Sequence, residues 1–195
     1  DFYMKPLNKV ITNKDTSFNP IWIMRQAGRY LPEFREIRKK NPDFINLCLN
    51  DNLSSEITLQ PLKRFDIDAA IIFSDILMLP YGLGQKVKFE KNFGPKLEKL
   101  DLNDVAKIDE IDFVERIYPV YKAIKKVSSD SFVKDKNTIG FVGAPWTLLV
   151  YMINLKSPKK DLNENFFKDN FLINRILLII EKFLKVHIKK QIDNG

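Results

Sequence analysis

Short apolar runs alternate with amphipathic stretches along this chain. Three runs are rich in branched or aromatic residues and too short for independent helices, and they predict buried strands at residues 21–24, 69–73 and 138–142. Apolar positions at helical spacing predict helices at residues 32–40, 52–65, 112–128 and 171–192, and another that starts near residue 146. This alternation predicts an α/β fold of three βα units, with parallel strands joined by right-handed crossovers.

Glycines and polar residues mark the connections between these elements. The polar, turn-rich residues 1–19 are expected to form a surface lead-in to the first strand. Glycines at 82, 84 and 94 around the VKFE segment predict a loop with a small hairpin after the second strand. Gly82-Leu83-Gly84 lacks the strand–helix context of a dinucleotide-binding loop, so that interpretation is rejected.

Candidate chemistry follows the ends of the predicted strands. Arg25, Asp75 and the loop at Gly143 each come directly after a strand, and Tyr151 lies a turn or two into the helix after the third one. Because functional sites of barrel-like α/β folds lie at the carboxyl ends of the strands, these residues are expected to gather on one rim. The rim combines cations with one carboxylate, which predicts a site for an acidic ligand.

Arginine is concentrated in one place. The chain has seven Arg and 25 Lys, yet Arg25, Arg29, Arg35 and Arg38 lie together with no Lys between them. Guanidinium binds carboxylate or phosphate through paired hydrogen bonds that a flexible ammonium cannot reproduce. This predicts an anion site at Arg25 and Arg29, whereas Arg35 and Arg38 fit a solvated basic helix face equally well. Gly28, between the first two, allows either a positive φ or close approach of a ligand.

Composition narrows the function classes. The content of 45% hydrophobic and 29% charged residues is that of a globular protein, and the net charge of +7 suits an acidic small molecule. No nucleic-acid-binding motif accompanies that charge. The single cysteine, Cys48, excludes an internal disulfide and is expected to be buried in a helix. The single histidine, His187, is expected to be structural or exposed, and no metal-ligand spacing or Ser-His-Asp set is found. No apolar run approaches ~20 residues, which predicts that nothing spans a membrane.

Three segments carry a family resemblance. They are MRQAGRYLPEFRE (24–36), ITLQPLKRFDIDAAIIFSDIL (57–77) and IGFVGAPWTLLVYM (139–152), and they closely resemble the N-terminal part of uroporphyrinogen decarboxylase. That family forms one (β/α)8 TIM barrel. The resemblance runs from about Pro6 to Gly195 and covers about the first half of the family. It therefore implies the N-terminal portion of a barrel, incomplete in this chain, as a single domain over residues 1–195.

The resemblance also implies a reaction. It is the decarboxylation of the four acetate side chains of uroporphyrinogen III to coproporphyrinogen III in heme biosynthesis, without cofactor or metal. The partner it implies is this polycarboxylate tetrapyrrole, and the enzyme is a cytoplasmic homodimer at full length. Loss of CO2 leaves an electron pair that a pyrrole protonated on carbon can accept, and a carboxylate that faces the ring stabilises that cation.

Site roles are implied only for positions that match the family motifs. Catalytic roles fall on Asp75, which accepts the pyrrole N–H groups, on Arg25 and on Tyr151. The substrate-binding positions are Arg25, Gln26, Ala27, Gly28, Arg29, Arg38, Phe73, Asp75 and Tyr151. A helix-capping role for Asp75 and a core role for Tyr151 stay open as alternatives.

Two departures from the family pattern keep other functions open. Two further site residues of the family, a Ser/Thr and a His, would lie beyond Gly195, and INLKSPKK (153–160) replaces a glycine-rich segment. One alternative is a non-catalytic fragment or interaction module. Another is the related corrinoid methyltransferase branch, which uses zinc. The chain by itself is expected to be inactive.

Overall fold

The computed structural model describes residues 4–15, 17–162 and 164–195. The helices in these ranges are α1 (Pro6–Asn13), α2 (Pro32–Lys40), α3 (Phe44–Cys48), α4 (Asp51–Arg64), α5 (Met78–Gly82), α6 (Leu102–Lys107), α7 (Glu110–Ser128), α8 (Pro145–Asn154) and α9 (Asn170–Asp193). The strands are β1 (Ala69–Ile71), β2 (Val87–Glu90), β3 (Gly94–Leu97) and β4 (Asn137–Ile139). Short 3-10 helices span Ser131–Val133, Pro158–Lys160 and Glu164–Lys168.

Two parallel strands lie at the centre of the fold. β1 pairs with β4 in parallel, with Ala69 opposite Asn137 and Ile71 opposite Ile139. The Ile72 N–H continues the ladder by donating to the Ile139 carbonyl at 3.1 Å. β2 and β3 form a separate antiparallel hairpin. The fold is therefore mixed α/β, and the predictions of a parallel pair and of the hairpin are confirmed.

The predicted first strand is wrong. Residues 21–24 form no strand, and their side chains are 44% to 72% exposed instead of buried. The Gln26 side-chain amide donates to the Ala69 carbonyl at 2.8 Å. It therefore occupies the backbone acceptor of β1 with which a strand at residues 21–24 would pair. No other strand of the described residues pairs with residues 21–24. Among the described residues a single backbone hydrogen bond joins this run to the chain beside β1, from the Asp68 N–H to the Ile21 carbonyl at 2.8 Å. One such bond does not make a strand ladder, so two parallel strands replace the predicted three.

The helices were predicted more accurately. α2 has the predicted bounds, α4, α7 and α9 begin and end within two residues of theirs, and α8 begins one residue before its predicted start. The lead-in is a correction, because residues 6–13 form α1 with Pro6 at its first position, where a missing N–H costs nothing. Residues 1–3 and 16 of that lead-in lie outside the described residues. No described helix has the length and hydropathy that crossing a bilayer requires.

The core has two parts that meet beside β1. The main cluster joins β1 to α5, α7, α8 and α9 and includes Phe113, Leu148 and Ile180. A smaller cluster packs α2 and α3 on α4. Phe73, just after β1, packs against both clusters. Cys48 is fully buried in α3, as predicted, and its burial raises the pKa of its thiol.

A buried polar pair joins α7 to α9. His187 is only 5% exposed, and its Nδ1 lies 2.9 Å from the Tyr121 hydroxyl oxygen. The edge of its ring meets Phe113, with centroids 6.3 Å apart. Burial lowers the pKa of His187 to about 4 and raises the pKa of Tyr121. The structural role expected for His187 is confirmed.

This pair predicts an acid-sensitive contribution to stability. The pKa of His187 in the fold, about 4, lies below the ordinary value of ~6.5, so the unfolded chain binds the proton first as pH falls. The free energy of unfolding should keep its full His187 contribution above pH ~6.5 and lose about 3 kcal/mol of it between pH ~6.5 and ~4. Urea denaturation of the wild type and His187→Gln over this range measures it. Carboxyl titration is common to both proteins, so a pH-independent difference between them would contradict the assignment.

Candidate functional site

The loop of residues 24–31, called here the Arg loop, is tied to β1 through Gln26. This side chain is buried; its amide donates to Ala69, and its Oε1 accepts from the Ile23 N–H at 3.2 Å. The Tyr30 hydroxyl donates to the Gln26 carbonyl. Both ends of the Gln26 amide are thus used by the protein's own backbone, and the residue anchors the loop.

Two cations of the Arg loop face solvent. Arg25 and Arg29 are exposed, and among the described residues neither guanidinium donates a hydrogen bond or forms an ion pair. Arg35 supports the loop from α2, because its Nη1 donates to the carbonyls of Arg29 at 2.9 Å and Tyr30 at 3.3 Å. A backbone contact of this kind is more than a solvated helix face. The loop therefore presents two permanently charged groups on a supported backbone.

Ala27 and Gly28 complete the loop. Ala27 packs against the smaller core cluster, which fixes the base of the loop. Gly28 has no positive φ, and a Cβ placed on it would meet only the Tyr30 ring, at 3.9 Å. Of the two uses predicted for Gly28, the positive φ is therefore wrong.

Asp75 lies in the turn between β1 and α5. Its Oδ1 accepts from the Leu77 N–H at 2.8 Å, and its carbonyl accepts from the Met78 N–H at 3.1 Å. Burial raises the pKa of this carboxyl, while the Leu77 N–H and the charge of Arg25 act in the opposite direction. One oxygen thus holds the turn before α5 but does not cap the helix, whose N-cap is Leu77, and Arg25 is close enough for its charge to act on the carboxyl.

Arg38 and Phe73 are linked by an aromatic ring. The guanidinium carbon of Arg38 lies 5.5 Å from the centroid of the Phe44 ring, and Phe44 meets Phe73 edge-on at 5.8 Å. Phe34 meets the Phe73 ring edge-on at 5.7 Å. Arg38 also donates to the Asn41 carbonyl at 2.6 Å. These contacts form an aromatic wall with a half-buried cation at its end.

The loop after β4 meets the loop after β1. Gly143 is buried, and a Cβ on it would lie 2.8 Å from Leu148 Cδ2 and 3.1 Å from Ile76 Cβ. Ile76 directly follows Asp75, so the close approach that needs glycine brings the two strand ends together. Tyr151 lies in the middle of α8, half-buried against the main core. Among the described residues, no hydrogen bond joins Tyr151 to Asp75 or to the arginines.

Two cavities of the described residues lie away from the Arg loop. One, of about 430 Å3, lies between β4 and the end of α9, and the other, of about 730 Å3, is lined by residues 153–156, 161–162 and 164–165. In the described parts of the chain no group of three or more His, Cys, Asp or Glu is placed to hold a metal ion. What distinguishes the rim is its chemistry. Two unpaired guanidinium groups lie in the Arg loop, and the charge of Arg25 acts on the Asp75 carboxyl, whose pKa is raised by burial.

Sequence reasoning missed two hydroxyl residues. Ser54 and Thr58 on α4 hydrogen-bond the backbone of Phe73, two residues before Asp75. Their spacing of four places both on one face of the helix. A pair of small hydroxyl residues on an apolar helix face was the available signal.

Comparison with known proteins identifies the family. The family model of uroporphyrinogen decarboxylase matches residues 3–195. The chain belongs to this family. It is 37% identical over 188 residues to the uroporphyrinogen decarboxylase of Agrobacterium fabrum, and the alignment covers 95% of this chain and 54% of that protein. It is 41% identical over 189 residues to the uroporphyrinogen decarboxylase of a Nitratiruptor species, and the alignment covers 93% of this chain and 54% of that protein. The chain thus spans about half the length of the curated relatives it matches.

A solved structure gives the fold relationship. A methyltransferase from Methanosarcina mazei superposes with a TM-score of 0.62 at 18% identity, covering 82% of this chain and 48% of that protein. At this identity the likeness concerns the fold alone.

Proposed function

We propose that this chain is the N-terminal portion of a TIM-barrel uroporphyrinogen decarboxylase, a single domain over residues 1–195 that carries one side of the substrate site. The full enzyme converts uroporphyrinogen III to coproporphyrinogen III without cofactor or metal. The observation that carries the proposal is the Arg loop, which presents two unpaired guanidinium groups, one of which, Arg25, lies close enough for its charge to act on the half-buried carboxyl of Asp75.

The cations account for binding. Arg25 and Arg29 offer paired donors to carboxylate arms, and the anchored Gln26 amide with Ala27 and Gly28 holds those donors at a set spacing. Because the loop is supported before the ligand arrives, less conformational entropy is lost on binding. The open space above Gly28 lets a carboxylate approach the backbone closely.

Asp75 accounts for stabilisation of the reacting ring. One carboxylate oxygen is held by the Leu77 N–H, which leaves the other to accept pyrrole N–H groups. When a pyrrole is protonated on carbon, the bond from the acetate arm to CO2 breaks and its electron pair enters the ring. A proton then replaces CO2 on the arm, and the ring loses the proton it gained. The Asp75 carboxylate lowers the energy of the cationic ring, while Arg25 holds or helps protonate the arm.

The other proposed site residues form the walls. Phe73 and Arg38 line the rim through their shared contact with Phe44. Tyr151 reaches the substrate from α8, on the side of the loop after β4. A cytoplasmic location and a homodimer at full length stay predictions.

Two other functions rank lower. A non-catalytic module would not need an exposed, unpaired Arg25 whose charge acts on the Asp75 carboxyl. The corrinoid methyltransferase alternative is disfavoured by the intact MRQAGRY segment at residues 24–30, which matches the uroporphyrinogen decarboxylase motif.

Ligand binding by the purified chain tests the proposal. Uroporphyrin, the oxidised macrocycle with the same eight carboxylates, should bind, and coproporphyrin, with four, should bind at least ~10-fold more weakly because fewer charge-assisted hydrogen bonds form. Fluorescence titration measures both dissociation constants. Equal affinity for the two, or no binding of uroporphyrin, would contradict the proposed site.

A further inference from the structure

The backbone at the end of β1 is held from both sides. On the β4 side, the Ile72 N–H donates to the Ile139 carbonyl at 3.1 Å. On the other side, the Phe73 N–H donates to Thr58 Oγ1 at 2.8 Å, and the Phe73 carbonyl accepts from Ser54 Oγ at 2.6 Å. Two hydroxyl groups of α4 thus take the place of a neighbouring strand at Phe73.

The two hydroxyl groups form a closed set of hydrogen bonds. Besides accepting from Phe73, Thr58 Oγ1 donates to the Ser54 carbonyl at 2.8 Å. Thr58 is 0% and Ser54 1% exposed, so water does not compete for these bonds. When a buried N–H or carbonyl loses its hydrogen-bond partner, the protein is destabilised by the full desolvation free energy of that group. Because any displacement would break these bonds, the arrangement has a defined geometry.

This geometry leads directly to the site. Phe73 carries the ring at the centre of the aromatic wall, between Phe34 and Phe44. Two residues later, Asp75 starts the turn into α5 with its hydrogen bond from Leu77. A shift of the Phe73 backbone would therefore move both the wall and the carboxylate.

We propose that Ser54 and Thr58 are positioning residues, which set the backbone of Phe73 and thereby the place of the Asp75 carboxylate relative to the Arg loop. They touch no substrate themselves and act through Phe73. The inference rests on the proposed function for the role of Asp75 in binding. The hydrogen bonds themselves can be tested without any ligand.

The test compares four variants of the 195-residue chain. Thr58→Val keeps the shape but removes the hydroxyl, and Thr58→Ser restores it. Ser54→Ala removes only the donor to the Phe73 carbonyl, as a milder second variant should Thr58→Val not fold. Thr12→Val, at an exposed position in α1, is the matched control.

Three measurements are made on each variant. Hydrogen exchange of the Phe73 amide reports the bond, NMR titration of the Asp75 carboxyl reports its surroundings, and fluorescence reports uroporphyrin affinity. In Thr58→Val the amide should exchange on the order of tenfold faster as local opening becomes easier. The pKa of Asp75 should fall toward its ordinary value as water enters, and affinity should drop on the order of tenfold from a misplaced carboxylate. Thr58→Ser should recover all three, and Thr12→Val should change none.

The outcomes separate the two claims. If the Phe73 amide exchanges at an unchanged rate in Thr58→Val, its hydrogen bond to Thr58 does not protect it, and the inference is overturned. Faster exchange with an unchanged Asp75 titration would mean that Ser54 and Thr58 contribute only to stability. This result would also overturn the inference. Absence of uroporphyrin binding in the wild type would count against the proposed function alone, because exchange and titration still decide the positioning role.

Discussion

Asp75→Asn should lower CO2 release about a hundredfold or more, as expected when a preorganised charge that faces a developing cation is lost. The amide keeps the size of the carboxylate and can still accept from the Leu77 N–H, so the turn into α5 should persist. Uroporphyrin affinity should fall by only about tenfold, far less than the rate, since the arginines still hold its carboxylates. The assay uses anaerobic uroporphyrinogen and the full-length enzyme that the proposed function implies.

The control for this prediction is Asp135→Asn. Asp135 is exposed and lies away from the rim, in the turn before β4, so its loss of charge should leave the rate unchanged. An Asp75→Asn protein that releases CO2 at the wild-type rate would remove the electrostatic role of Asp75. Equal loss of binding and of rate would assign Asp75 to binding instead of catalysis.

Arg25→Lys and Arg29→Lys should each weaken uroporphyrin binding roughly tenfold to a hundredfold, although the charge is kept. Hydrogen bonds to charged groups contribute ~1.5–3 kcal/mol, and an ammonium cannot reproduce the paired donors of guanidinium. Neither arginine has a partner among the described residues, so the loss should appear in affinity and leave urea stability unchanged.

Arg175→Lys is the matched control for the arginine variants. Arg175 lies on α9, where its guanidinium carbon is 5.8 Å from the centroid of the Phe171 ring, far along the chain from the Arg loop. Affinity should be unchanged in this variant. If either loop variant binds like the wild type, that arginine does not hold a carboxylate.

Five helices, α2, α4, α7, α8 and α9, were predictable from the sequence alone. Helical hydrogen bonds join residues four apart, so the periodicity of α2 or α7 contains most of what decides it. The concentration of Arg around Gly28 is likewise a local pattern, and the apolar run 69–73 correctly predicted the start of β1, although the strand ends at Ile71, two residues earlier than predicted. Local patterns also predicted the β2–β3 hairpin.

Only the tertiary structure decided which apolar run becomes a strand and which polar side chain supports the site. Residues 21–24 and 69–73 look alike in sequence, yet only the second has a partner strand in β4. The roles of Gln26, Arg35 and Thr58 depend on carbonyl and N–H groups that folding leaves without a strand partner. Which backbone groups lack a strand partner depends on the tertiary structure. A buried group of this kind must form a hydrogen bond with whichever side chain folding brings to it.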